Sequence, residues 1–366
     1  MNIARYWSDF QAGLFPECLK PLEVKTEQHR KAILILDIIR VDDFFNDEPQ
    51  QSRGRPKKER YKFARAFIIQ KILSIPTVVM LLERLMVDIF LRRLCGWERN
   101  RIPCAATFSN VFKEFAESGL AEKVNDKMML EHIGDSLIMH VSRDSTDVVV
   151  HESCKKEESA PKKETEKTRK RGRPKKGDEK PKAIKTVEKQ CTQTLDEIVK
   201  ELPQKCNYGK KKKHGTSYTW KGYKLHSDVS DEGFILSAIL TSASVHDSQV
   251  AIPLEKMTFS KVNHCYSLMD KGYDCVTIRG FISSLGQAVP IAPYKTRRNG
   301  IKPELEPIHE ERLKNRSVVE RSYSLLKDKY HLDKIKYKGI SKVSSYAFFS
   351  ILVCNAEHIL RELCVQ

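Results

Sequence analysis

Apolar positions recur along this chain with two different periods, and the change of period divides it into three zones. In the first, roughly 1–135, the spacing is helical. Phe67, Ile68, Ile72 and Ile75 share one helical face and precede Pro76. A second helix is predicted through Val78, Leu81, Leu82, Leu85, Met86, Ile89, Phe90 and Leu94, ending at Gly96. Pro103 and Thr107 introduce a third, with Phe108, Val111, Phe112 and Phe115 on one face. Helical pieces of this kind with basic edges either set a recognition helix into a major groove or form a bundle that positions something else. The second zone, 151–215, is a polar interruption in which aliphatic residues are sparse until Leu195, Ile198 and Val199. Such a stretch cannot bury enough apolar surface to fold by itself, so a basic flexible insert with one short helix near 193–201 is expected.

The third zone, 216–366, alternates strand and helix signals. Residues 218–229 and 234–241 read as two strands joined at the turn Asp231-Glu232-Gly233. Asp247 heads a helix over 248–257, and a short buried strand at 267–269 ends at Asp270. A helix near 275–285, a strand at 288–292, a long helix over about 308–330 and an apolar helix from Val343 to Leu363 complete the pattern. With the apolar run Leu137-Ile138-Met139 before Asp144 added as a strand, the expected class is α/β, a mixed sheet flanked by helices, with an all-helical domain before it. The domains are set at 1–135, all-helical, and 136–366, the α/β part interrupted at about 151–215.

Charge narrows the partner. The 366-residue chain carries a net +17, which suits a polyanion, either nucleic acid or an anionic membrane. The stretch from Phe63 to Trp97 is interrupted by Arg65, Lys71, Glu83, Arg84, Asp88, Arg92 and Arg93, so it is no clean membrane span, and no membrane partner is expected. The N-terminus has no long apolar signal core, and the ten cysteines contain no C-x-x-C pair. They read as reduced thiols of a cytoplasmic protein.

Three acids stand out as candidate chemistry. Asp144 opens Asp144-Ser145-Thr146-Asp147 after the first strand run, Asp270 closes Tyr266-Ser267-Leu268-Met269, and Glu320 lies on the long helix. Two carboxylates at strand ends and one on a helix suit a pair of hard divalent cations about 3.5–4 Å apart, the arrangement that cuts and joins phosphodiester backbones. Arg316, Glu320, Tyr323 and Lys327 share one narrow helix face at about 100° per residue. Taken alone, that face also fits a solvated, salt-bridged surface.

From the third helix of the first zone to the C-terminal helix, the chain resembles the DDE transposases of bacterial insertion sequences, which have a ribonuclease H-like catalytic core. The resemblance rests on Asp144-Ser145-Thr146, Trp220-Lys221-Gly222-Tyr223-Lys224-Leu225-His226, Thr241 to Ser248, Met269-Asp270-Lys271-Gly272-Tyr273, and the spacing Arg316, Glu320, Lys327, with Thr107-Phe108-Ser109 upstream. It implies Asp144, Asp270 and Glu320 as the catalytic metal-binding triad, holding two Mg²⁺ ions with Mn²⁺ as a substitute. It also implies Arg316 and Lys327 as DNA contacts. One position departs from the family signature, which often has Tyr where Leu313 stands. The implied partner is double-stranded DNA, both element ends and target, held by a homodimer or larger oligomer on the nucleoid. A ribonuclease H-like nuclease that cleaves without joining and an inactive DNA-binding relative are the alternatives.

Further basic positions read as DNA contacts. Arg53-Gly54-Arg55-Pro56-Lys57-Lys58 recurs as Arg171-Gly172-Arg173-Pro174-Lys175-Lys176. Arg-Gly-Arg-Pro resembles an AT-hook core, in which Gly lets the backbone sink into a narrow minor groove and the arginines meet its negative potential. The same strings also suit a basic linker that meets phosphates without sequence preference. Lys211 and Lys212, within Lys210–Lys213, are assigned to phosphates. His246 and Asp247 follow a strand, a position where either could stand near the metals, while a helix cap is the plainer reading of Asp247. His226 is read as either a support for the metal ligands or a strand position facing polar surface, and Trp220 and Tyr223 as packing residues.

Overall fold

The computed structural model describes residues 26–45, 58–98, 101–134, 136–153, 184–213, 215–286, 288–296, 300 and 303–365, with the side chains of 212, 213 and 365 left aside. These residues form two compact units: 26–128 together with 348–365, and 129–347. The arginine pairs at 53 and 55 and at 171 and 173 lie outside the described residues.

The first unit is helical: α1 (Glu27–Ile39), α2 (Arg60–Ile72), α3 (Val78–Val87), α4 (Ile89–Leu94), α5 (Ala105–Ser118) and the start of α6 (Leu120–Ile133). The periodicity suggested one helix from Val78 to Leu94, but the chain breaks it at Asp88. Asp88 takes an extended backbone, and its carboxylate accepts the Leu91 N–H and meets the His29 ring at 3.0 Å. A short polar side chain that bonds orphan N–H groups outcompetes continuation of the helix. The core is aromatic: Phe63, Phe67, Trp97, Phe108, Phe112 and Phe115 are buried, and Phe67 meets Phe108, Phe112 and Phe115 edge-on. Such pairs set the quadrupole-positive ring edge against a neighbouring face. The face Phe108, Val111, Phe112 and Phe115 read from the sequence is the buried face of α5.

The second unit is built on a mixed sheet of order β2-β3-β1-β5-β6, with β4 also paired to β3. Its strands are β1 (Leu137–Val149), β2 (Asn207–Lys213), β3 (Thr216–Ser230), β4 (Ile235–Ser242), β5 (Asn263–Met269) and β6 (Val289–Ile291). The β3–β4 hairpin is where the alternating pattern placed it. Within 151–215 the short helix expected near 193–201 is present, and a second helix and a strand accompany it. The helices are α7 (Thr186–Gln190) and α8 (Leu195–Glu201), and the lysine string forms β2, paired antiparallel with Thr216–Gly222 of β3. Lysine-rich residues gain a strand there because an existing edge supplies their backbone partners.

Two glycines explain the Trp-Lys-Gly-Tyr string. A Cβ on Gly222 would lie 2.1 Å from the Val148 carbonyl oxygen, so only glycine lets β1 and β3 approach there. A Cβ on Gly209 would strike the Trp220 ring at 2.3 Å, so Trp220 packs across β2. Trp220 and Tyr223 are both buried, as packing residues are.

The remaining helices are α9 (Ala251–Phe259), α10 (Val276–Ser284), α11 (Pro307–Leu313), α12 (Ser317–Asp328) and α13 (Ile340–Val365). The long helix expected over 308–330 is therefore two helices joined by a tight turn at Lys314–Arg316. Helix α13 is long and apolar enough to span a bilayer, yet most of it is buried in protein. Its residues from 348 onward belong to the helical unit, although the pattern of strands and helices grouped them with the sheet.

Candidate active site

Register brings the first two acids together. β1 and β5 run parallel, and Arg143 pairs with Met269 as the last matched position. The next residue on each chain segment is an aspartate, so Asp144 and Asp270 stand side by side where the β1–β5 pairing stops. Asp270 follows the carboxyl end of β5, where ligand sites in open α/β sheets gather. Asp144, expected at a strand end, instead lies within β1, which runs on to Val149 because β3 continues to supply its backbone partners.

Asp144 is fixed from several sides. Its Oδ1 accepts the Ser145 N–H at 2.8 Å, and its Oδ2 accepts from Arg316 Nη1 at 3.0 Å. The Tyr323 hydroxyl donates to the Asp144 carbonyl at 2.6 Å and accepts from Ser227 Oγ at 2.8 Å. Burial pushes the Asp144 carboxyl above its usual range and the charge of Asp270 adds to this, against the opposing pull of the Ser145 N–H and Arg316. Burial, with Asp144 adding to it, raises the Tyr323 phenol well above its ordinary value, so it remains a donor.

The shared face of α12 is turned to β1. Arg316 reaches Asp144 and, through Nη2, Glu320 Oε1 at 3.2 Å. Lys327 meets Asp147 at 2.9 Å. Burial alone would raise Asp147, but the hydrogen bond and charge of Lys327 outweigh it and hold the carboxyl low. The salt-bridged alternative for this face is thus literally present, and the two acids that Arg316 meets are the candidate acids Asp144 and Glu320. Leu313 is the last residue of α11, just before the turn that delivers Arg316. Lys211 is exposed on β2 and contributes to the low pKa of Asp147; Lys212 lies on the same strand.

Two sequence readings are corrected. Asp247 does not cap a long helix: a 3-10 turn runs over Asp247–Gln249, and the His246 ring takes the capping bond from the Ser248 N–H at 3.3 Å. Asp247 Oδ1 instead accepts from Ser145 Oγ at 2.8 Å and from Lys224 Nζ at 3.1 Å. His226 faces no polar surface. It is fully buried, bonded through Nε2 to Thr241 at 3.0 Å, and burial drives its pKa down to about 3. Asp247 and Lys224 were the residues sequence reasoning undervalued. Both stand inside motif strings, which was the available signal.

On the other face of β1 lies a buried ionic group. Arg143 is 0% exposed and donates to Asp228 at 2.8 and 2.7 Å and to Glu255 at 2.7 Å. Thr258 donates to Asp228 at 2.6 Å, and His264 meets Glu255 at 3.1 Å. Burial works against the charge on Arg143, and the two carboxylates more than restore it.

Asp144, Asp270 and Glu320 offer only hard oxygen donors, and burial, with the charge of Asp270 adding to it, disfavours the ionised Asp144 carboxyl, a cost that a divalent cation would relieve. In this respect the residues fit such an ion. Among the described residues no three His, Cys, Asp or Glu side chains are grouped closely enough to hold a metal as they stand. Between Asp144 and Glu320 the positive charge is the Arg316 guanidinium.

A mixed sheet flanked by helices, with one aspartate on β1, another just after the parallel β5, and a helix and its leading turn bringing Glu, Arg and Lys beside them, defines a ribonuclease H-like core. The comparison with family models agrees. The model described as "Transposase DDE domain" matches residues 136–356, and that described as "Transposase domain (DUF772)" matches residues 22–114. The first spans more than half of the chain, which belongs to the DDE transposase family. Its function is that of a transposase, its partner is DNA, and its family generally uses divalent metal. No curated protein and no solved structure matches the chain.

Proposed function

We propose that this transposase binds the terminal inverted repeats of its own element, cleaves the backbone at the ends, and joins the freed 3′-OH to target DNA. The reading is carried by one observation, the parallel register that sets Asp144 of β1 beside Asp270 just after β5, with Arg316 linking Asp144 to Glu320. Asp144, Asp270 and Glu320 would hold two Mg²⁺ ions, for which Mn²⁺ substitutes. The chemistry that such a pair supplies when bound is activation of the attacking oxygen and stabilisation of the leaving one. In cleavage, water attacks phosphorus and the 3′-oxygen departs with a proton. In joining, that 3′-OH attacks a target phosphorus, a new P–O bond replaces the target's P–O3′ bond, and no net bond energy is required.

The chain's own residues divide the remaining work. Tyr323 and Ser227 hold the Asp144 backbone in place. Arg316 exchanges a carboxylate for a phosphate when DNA enters, and Lys327, Lys211 and Lys212 extend the basic surface along the strand. The arginines at 53, 55, 171 and 173 add minor-groove contacts, and the helical domain reads the repeat sequence. Two ends must be held together, so the acting form is a dimer or larger oligomer on DNA in the bacterial cytoplasm.

The test starts from inverted repeats in the DNA beside the coding region. Labelled ends incubated with the protein, target DNA and Mg²⁺ are expected to give joined products. Cleaved ends without any joined product would replace this reading with that of a nuclease that cuts only.

A further inference from the structure

Beside the three acids of the family motif stands a fourth carboxylate. Asp247 follows β4, and its Oδ1 is already bonded by Ser145 and Lys224. Its Oδ2 takes no part in those bonds. Asp247 Oδ2 and Asp270 Oδ2 both face the space over Gly272, where a methyl carbon would lie 4.0 Å from the first and 3.9 Å from the second. Two carboxylate oxygens turned to one open space repel each other unless a cation stands with them.

Two buried groups around Asp247 also lack partners. The Nδ1 of His226 has no hydrogen-bond partner and lies 3.7 Å from Asp247 Oδ1, beyond bonding distance. The Tyr273 hydroxyl, 1% exposed, likewise has none, and the charges of Asp247 and Asp144 both act on it. A buried polar atom without a partner carries a free-energy cost, and such atoms collect where a ligand completes the bonding. The short residue at position 272 keeps this space open.

We propose that Asp247 is a fourth carboxylate ligand of the divalent-cation site, sharing one ion with Asp270 through their Oδ2 atoms. Ser145 and Lys224 fix its other oxygen, as polar partners commonly orient a ligating carboxylate. Ser145 then links two ligands, through its backbone to Asp144 and through its hydroxyl to Asp247. This inference rests on the divalent-metal part of the proposed function, and the test separates the two.

Mn²⁺ binding to the full-length protein, without DNA, is measured by titration calorimetry. Asp247→Asn is expected to raise the Mn²⁺ dissociation constant by about 10–100-fold, in the range seen when metal-site carboxylates or their partners are lost. Mn²⁺-soaked crystals of the unaltered protein give a second readout that needs no variant. Their anomalous signal is expected at about 2.1 Å from Asp247 Oδ2, a hard-cation bond length. Wild-type affinity in Asp247→Asn, or an anomalous peak on Asp144 or Asp270 with Asp247 outside its shell, would overturn the fourth ligand and leave the proposed function standing. A wild-type protein that binds no Mn²⁺ by either measure overturns both.

Discussion

Arg143 and Asp144 are consecutive residues of one strand, and they face opposite sides of the sheet. Arg143 has no exposed surface, and its charge is closed by Asp228 and Glu255, which are themselves closed by Thr258 and His264. The Asp144 side chain keeps 23% of its surface exposed, and its charge is met by Arg316, a side chain equally exposed, which also serves Glu320. The difference shows how to separate structural from chemical charges in one fold. A network whose charges are all paired within the protein has no free charge to offer a ligand, and breaking it leaves a buried charge uncompensated. An open one exchanges partners.

The comparison can be broken at several points. Asp144→Asn keeps the shape of the side chain and removes its charge. DNA cleavage is expected to fall about 10³-fold or more, as several kcal/mol of transition-state stabilisation are lost. DNA binding, followed by gel shift, should change little, and unchanged cleavage would remove Asp144 from the chemistry. Arg143→Met is expected to destabilise the fold by about 3–5 kcal/mol, read from urea unfolding, because two buried carboxylates lose their cation. The triple variant Arg143→Met, Asp228→Asn, Glu255→Gln should recover much of that loss. A single variant as stable as the wild type would mean that the network is not closed.

Tyr323→Phe lies between the two kinds. It removes the hydroxyl that joins Ser227 to the Asp144 backbone, at a cost of about 1–2 kcal/mol in thermal unfolding. Cleavage should drop with little change in DNA affinity, since the hydroxyl positions Asp144 and the phosphate contacts remain.

The smallest effect concerns the half-open Asp147–Lys327 pair. Its carboxyl pKa is depressed in the fold, so its stabilisation is fully present above the ordinary value of 3.8 and is lost as pH falls through the folded value. At about one-fifth to one-quarter exposure the pair contributes about 1 kcal/mol or less. Asp147→Asn should therefore lower the melting temperature slightly at neutral pH, with the gap to wild type closing in acid. A gap that widens on acidification would refute the assignment.

Much of this was legible in the residues. Alternation placed the β3–β4 hairpin, and helical spacing placed the buried face of α5, because local periodicity follows directly from backbone geometry. The face Arg316, Glu320, Tyr323, Lys327 follows from the same rule, and its members all contact β1, Arg316 or both. Where the sequence misled, a competing partner decided. Asp88 and the turn at Lys314–Arg316 interrupted helices whose apolar pattern ran on, and an available edge of β3 turned a lysine string into a strand. For Asp247 the residues left two readings, a helix cap and a place near the metals, and its contacts with Ser145 and Lys224 set the cap aside.

What the sequence determined alone was the order of elements, the aromatic packing of the helical unit, and the three motif acids with their basic neighbours. All of these depend on residue type and near spacing. The tertiary structure decided which residues separated by long stretches of chain meet. Parallel register set Asp144 beside Asp270, the pleat sent Arg143 to the closed side and Asp144 to the open one, and the return of the chain after β4 brought in Asp247. The reason is that strand pairing shifted by a single residue exchanges the two faces of the sheet, and nothing in the local pattern names the partner strand.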